Sequence, residues 1–216
     1  MNIAIYGTGG LGRETACLIN TINKTKSDFK WNFIGFFDDN EAMWGCDIFH
    51  YGKCLGGINE LNGWKEPIAI VIAVGSPNAL KSIYNKINNH NVSFPNIIHP
   101  DFVINDPMTF KIGHGNIIQS GCSVSCNVTF GNFNIFNGSV VFGHDDIVGD
   151  YNTFMPATRI SGEVCINDCN FFGVNSIILQ QINIGNNIRL AAGSVLMRKP
   201  KDGCLYLGNP AKKTEF

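Results

Sequence analysis

The stretch IGHGNI-IQSGCS-VSCNVT-FGNFNI-FNGSVV-FGHDDI, residues 112–147, decides the fold when it is read in sixes. The first position of each block holds Ile112, Ile118, Val124, Phe130, Phe136 and Phe142, and the series continues through Val148, Phe154, Ile160, Ile166, Phe172, Ile178, Ile184, Leu190 and Leu196. All fifteen are Ile, Val, Leu or Phe in a chain that is 44% hydrophobic. At that composition chance gives such a run roughly a few times per million trials. A period of six suits neither a helix nor a plain strand. It suits a short strand and a corner, repeated, with the large residue pointing inward. The next position is often Gly or Asn (Gly113, Gly131, Asn137, Gly143, Gly149, Asn167, Gly173, Gly185), residues that tolerate tight or left-handed backbone. Three such faces make one coil of eighteen residues, so fifteen repeats make five coils, each burying its core against its neighbours.

The rest of the composition excludes several classes. Charged residues are only 15% of the 216, below the roughly 25% usual for soluble domains. Such a chain is expected to cover part of its surface in an oligomer. The net charge of −1 points away from nucleic acid and from anionic membrane surfaces. No apolar run reaches the roughly 18 residues that span a bilayer, so no membrane insertion is expected. The eight cysteines follow no basic leader pattern and read as reduced thiols of a cytoplasmic protein. Cys122/Cys126 and Cys165/Cys169 lack the tighter knuckle spacing and a nearby histidine, so no metal is expected.

Before the repeats, Asn2–Tyr6 reads as a buried strand, followed by Gly7-Thr8-Gly9-Gly10-Leu11-Gly12 and a helical pattern to about Asn23. Gly7, Gly9 and Gly12 match G-x-G-x-x-G, in which backbone approaches a phosphate at a helix N-terminus. Phe33–Phe37 reads as a second strand ending in Asp38-Asp39, either of which could accept a hydrogen bond from a ribose or base. Ile68–Val74 reads as a third strand, ending at Gly75. Ser76 is placed to cap the next helix, with Pro77 at its first position, running to about Asn89. This is half of a doubly wound α/β fold, which suits a nucleotide-sugar better than a dinucleotide. The expected domains are a Rossmann-like nucleotide-sugar-binding domain over 1–95 and a repeat domain over 96–216.

Of five histidines only His114 and His144 lie in the repeats. Both occupy the second place after an inward residue and are expected to point outward. His144 is followed by Asp145, and a carboxylate can fix an imidazole tautomer and stabilise the imidazolium that forms when it takes a proton. His114 lies between glycines and reads as structural.

The repeat pattern and the ending Gly208-Asn209-Pro210 resemble the hexapeptide-repeat acyltransferases, whose β-helices are left-handed. With Gly7–Gly12, Asp38-Asp39, Ala73-Val74-Gly75, Ile98-His99-Pro100 and Gly143-His144-Asp145, nearly the whole chain resembles bacterial acetyltransferases of nucleotide-linked amino sugars, grouped with sialic acid O-acetyltransferases. The resemblance implies a homotrimer with acetyl-CoA, the cosubstrate, lying between β-helices. It implies a nucleotide-linked amino sugar held at Gly7, Gly9, Gly10, Gly12, Asp38, Asp39 and Gly75. It makes His144 the general base, held by Asp145, with Asn137 near the site and the Gly162 N–H facing the thioester carbonyl. Gly173, Ala191 and Ala192 would line the pantetheine groove, and Arg198, Lys199 and Lys212 would meet coenzyme A phosphates. One departure stands out: Thr153 and Ala157 replace a second His and a Gly that such relatives often carry. Two other readings stay open, O-acetylation of a sugar hydroxyl and a non-catalytic β-helix scaffold.

Overall fold

The computed structural model describes residues 1–25 and 29–214. It divides into two compact units, Met1–Pro100 and the chain from Asp101 onward.

In the first unit a parallel sheet has the order β2-β1-β5-β6, with β1 Asn2–Tyr6, β2 Asn32–Phe37, β5 Ile68–Ile72 and β6 Val92–Ser93. The β1 residues Ile3–Tyr6 and all of β5 are buried, which is why both read as unbroken apolar runs. Helix α1 (Gly10–Asn23) returns the chain from β1 and buries Gly12, Thr15, Ala16, Leu18 and Ile19. A short pair, β3 (Asp47–Ile48) and β4 (Gly52–Lys53), and helix α2 (Ile58–Asn62) fill the next connection. Helix α3 (Pro77–Lys86) follows β5 with Pro77 in its first turn and Ser76 at the cap position. The expected Ser76 side-chain cap does not form. The helix also stops three residues before Asn89, because Ile87 turns extended and the Asn89 amide donates to the carbonyls of Leu61 and Trp64 instead.

In the second unit every repeat is a two-residue strand ending in the inward residue, and successive coils pair these strands in parallel at an offset of eighteen, as in Ile135↔Thr153 and Phe136↔Phe154. The strands fall on three faces, as the period requires. Phe136, Phe154 and Phe172 stack ring on ring at 5.1 and 4.8 Å down one face. A second column, Asn116, Asn134, Asn152 and Asn170, is fully buried at one corner. Each Asn Oδ1 accepts the backbone N–H eighteen residues later, at 2.8 or 2.9 Å.

The corners correct one expectation. The left-handed residue is the third after the inward one, with φ near +60° at Asn127, Ser139, Asp145, Tyr151, Ala157 and Glu163 among others. The glycines directly after the inward residues serve close packing between coils: a Cβ on Gly131 would lie 2.3 Å from Asp150 Oδ1 and 2.6 Å from the Gly149 oxygen. All eight cysteines are free thiols. Among the described residues no group of three His, Cys, Asp or Glu could hold a metal ion, and no helix is long and apolar enough to cross a membrane.

Candidate active site

His144 and Asp145 sit on the corner that follows Val141–Phe142. Asp145 adopts φ +60°, and His144 Nδ1 lies 2.7 Å from its Oδ2. The other carboxylate oxygen accepts the Asn127 amide at 2.6 Å. Asn127 is one coil back, eighteen residues before Asp145, and sequence reasoning passed over it; the repeat register was the signal. The Asn127 amide and the His144 ring hold the Asp145 carboxyl below its ordinary range. The hydrogen bond to Asp145 raises the His144 pKa above its ordinary value, and prevails over desolvation, which acts the other way. With Nδ1–H directed at Asp145, Nε2 is the free ring nitrogen and, in the neutral ring, has the lone pair that can accept a proton. About half of each side chain is open to solvent.

One coil on, Gly162 lies beneath the ring. A Cβ there would come within 2.6 Å of His144 Nε2. Glycine at this position therefore leaves room for the imidazole. The Gly162 N–H donates to no backbone acceptor among the described residues, while its carbonyl accepts Gln181 N–H at 3.1 Å. His144, Asp145 and Gly162 are thus brought together. Asn137 is not joined to them by a hydrogen bond among the described residues. It is nearly buried, and its amide donates to the Phe154 carbonyl at 3.0 Å. Thr153 is buried too, with a hydroxyl that finds no partner. His114 is exposed and packs edge-on against Phe133 at 5.1 Å.

Gly173 lies against the next coil, where a Cβ would meet Ala192 N at 2.5 Å. It forms one small-residue column with Ala191 and Ala192. Arg198 and Lys199 follow the last coil and Lys212 begins the terminal hairpin strand Lys212–Thr214; all three are exposed.

In the first unit the glycine motif divides into two roles. Gly7 has φ +116°, and a Cβ on Gly12 would lie 2.0 Å from the Gly7 oxygen, so these two let α1 pack on the turn. Gly9, Gly10 and Gly75 face nothing within 4 Å, which leaves backbone open to a ligand. Asp38 Oδ2 accepts the Thr8 N–H and hydroxyl at 2.8 and 2.7 Å, and its Oδ1 accepts Asn40 N–H. Burial would raise its pKa, but these bonds prevail and hold it below the usual value. Asp38 ties the glycine turn to the end of β2. Asp39 takes the Tyr6 hydroxyl and lies 3.6 Å from Lys86 Nζ, and it is about half exposed.

Residues 2–87 match the PglD N-terminal domain. A GDP-perosamine N-acetyltransferase of Escherichia coli O157:H7 is 28% identical over 225 residues, covering 99% of this chain and 96% of that protein. The chain is similar to a bacterial sugar acetyltransferase over its whole length. Solved structures share the fold throughout: PerB from Caulobacter crescentus, in complex with CoA and GDP-perosamine, has a TM-score of 0.86 at 24% identity, over 100% of this chain and 98% of that one. The acetyltransferase domain of PglB from Neisseria gonorrhoeae FA1090, in complex with acetyl coenzyme A, has a TM-score of 0.85 at 24% identity, over 99% and 98%.

Proposed function

We propose that the chain transfers the acetyl group of acetyl-CoA to the amino group of a nucleotide-linked 4-amino-dideoxy sugar. The observation that carries this reading is the His144–Asp145–Asn127 relay set over Gly162, on a chain homologous end to end with a sugar N-acetyltransferase. The relatives solved with CoA and a GDP-linked amino sugar, and those in which one histidine of that enzyme is replaced, support it.

In this scheme the sugar amine is the nucleophile. His144 Nε2 accepts its proton as the nitrogen attacks the thioester carbonyl, and Asp145 stabilises the imidazolium. The Gly162 N–H donates a hydrogen bond to the oxygen that gains charge. Collapse of that adduct releases the thiol of coenzyme A, protonated by the imidazolium. The amide product remains on the sugar. Gly9, Gly10 and Gly75 take the nucleotide phosphates, with Asp39 beside them. Gly173, Ala191 and Ala192 border the pantetheine arm, and Arg198, Lys199 and Lys212 supply positive charge for its phosphates. The enzyme works as a homotrimer in the cytoplasm, since one solenoid offers only one wall of an acetyl-CoA groove.

The test is thiol release from acetyl-CoA across a panel of GDP-, UDP- and dTDP-linked 4-amino sugars and their 4-hydroxy counterparts, with product mass measured. Turnover of amino sugars alone supports the proposal. Turnover of hydroxy sugars alone favours O-acetylation, and turnover of none favours a scaffold.

A further inference from the structure

The corner that carries His144 also carries a buried residue of the wrong polarity. In register, one per coil, it reads Val128, Asp146, Val164, Ile182. Three are apolar and one is a carboxylic acid, yet all four are buried, with Asp146 at 0% exposure. Asp146 Oδ1 accepts the Val164 N–H at 2.8 Å, while Oδ2 is buried with no partner. The asparagine column at another corner shows what such a residue does. Each of its Oδ1 atoms accepts a backbone N–H eighteen residues on, as Asp146 does. The amide nitrogens of Asn116, Asn134 and Asn170 donate to the carbonyls fifteen residues on, Gly131, Gly149 and Gly185, at 2.8–2.9 Å. For Asp146 the matching carbonyl belongs to Ser161. That carbonyl accepts no backbone N–H among the described residues. A carboxylate facing a carbonyl oxygen repels it; a carboxylic acid donates to it.

We propose that Asp146 is a neutral carboxylic acid in the folded protein, whose O–H donates to the Ser161 carbonyl and so fixes the Ser161–Gly162 peptide. Carbonyl and N–H point in opposite directions across a trans peptide. Holding the carbonyl inward therefore turns the Gly162 N–H outward, to the side of His144. The bond also polarises the peptide and strengthens its N–H as a donor. Asp146 is a positioning residue; it touches no substrate. Its functional half rests on the acetyl-transfer reading above, whereas its protonation does not. Burial pushes the Asp146 carboxyl up to about 7, against the pull of the Val164 and Gly143 N–H groups. The charged groups that act on it are His144 and Asp145 on its own corner, and Glu163 on the coil after acts on His144; its neighbours in the column are valines.

The experiment compares wild type, D146N and D146V as full-length protein. Asparagine reproduces both hydrogen bonds of the acid; valine, already used in the same column, keeps the packing and removes them. Infrared difference spectra at pH 6 should show a protonated-carboxyl C=O band in wild type that D146N lacks. With acetyl-CoA and the amino-sugar acceptor, D146V should lose about 10–100-fold in kcat with both KM values little changed, a partial loss of an oxyanion donor. At pH 6 D146N should recover most of that kcat, because a neutral residue replaces a neutral one; above about pH 7, where the wild-type acid loses its proton, D146N should hold the kcat that wild type loses. Absence of the band at pH 6, or wild-type and D146N kcat profiles of the same shape above pH 7, overturns the proposal. Equal kcat in D146V and wild type overturns the positioning role. If His144→Ala stays active, the acetyl-transfer reading fails, and the infrared band still decides the state of Asp146.

Discussion

Individual residues at the His144 corner owe their roles to the coil above or below. His144–Asp145 was legible as a pair because the two are adjacent in sequence. Asn127 was not, because it meets Asp145 only through the stack, at 2.6 Å. Gly162 was picked for its N–H, but the structure gives it a second duty, room for the ring. Gly162→Ala tests that duty. Gly162 is absent from the positive-φ residues, so the backbone accepts alanine; the new Cβ meets the imidazole. The half-exposed ring can swing away, so thermal stability should change by less than about 1 kcal/mol. kcat should fall about tenfold or more, as a small displacement of a catalytic group suffices for that. A stable, fully active Gly162→Ala would place the base elsewhere. Asn127→Ala should cost less, a few-fold in kcat. It also removes the first bond that holds the Asp145 carboxyl down, so the loss should deepen toward acid pH in a kcat profile.

At the level of elements, the hexad series predicted the strands because their inward residues have nowhere else to go: Phe136, Phe154 and Phe172 are fully buried. What it did not predict was the division of labour at the corners. Glycines after the inward residue looked like the left-handed positions, but inter-coil packing demands them, and Asn, Ser, Asp, Tyr and Glu take the positive φ two places later. The asparagine column also escaped notice, since a period of eighteen is invisible until coils are laid over one another. Asn152 accepts from Asn170 N–H and donates to Asn134. Asn152→Ala strands the buried N–H of Asn170 and should cost about 1–3 kcal/mol in denaturant unfolding. An unchanged midpoint would show that the column contributes nothing. Asp146 gives the column's logic a pH signature. Its folded pKa of about 7 lies above the roughly 3.9 of an unfolded Asp, so the unfolded chain loses its proton first. Its stabilising contribution is complete below about pH 4 and is lost as pH rises to about 7. D146N should therefore gain on wild type by up to about 1.4 kcal/mol per pH unit across that window. A gap independent of pH would mean that Asp146 is charged in the folded state.

The whole molecule joins a nucleotide-binding type of fold to a solenoid, and each half was legible for a different reason. The glycine turn announces itself because Gly7 and Gly12 are demanded by packing, whereas Gly9, Gly10 and Gly75 are open and their function rests on what they would touch. Gly9→Val should leave the fold intact, since its φ of −70° suits valine and no atom lies within 4 Å. It should raise KM for the nucleotide-sugar at least several-fold while acetyl-CoA affinity stays constant. Loss of acetyl-CoA binding by calorimetry would assign the ligands to the wrong halves. Light scattering at micromolar concentration should give three copies per particle, and a monomer would remove the shared groove. The account as a whole depends on His144 as the base, and its pH profile of turnover is the most direct measurement. Wild type should show a rising limb in kcat above the ordinary imidazole value, because the bond to Asp145 keeps His144 protonated to higher pH and only the neutral ring can accept the amine proton; a fall at still higher pH belongs to Asp146 and is absent from D146N. His144→Ala should lose about 10²–10⁴-fold in kcat together with that limb, with both substrates still bound. Near-normal turnover of His144→Ala at high pH would contradict the account, since the amine would then need no base.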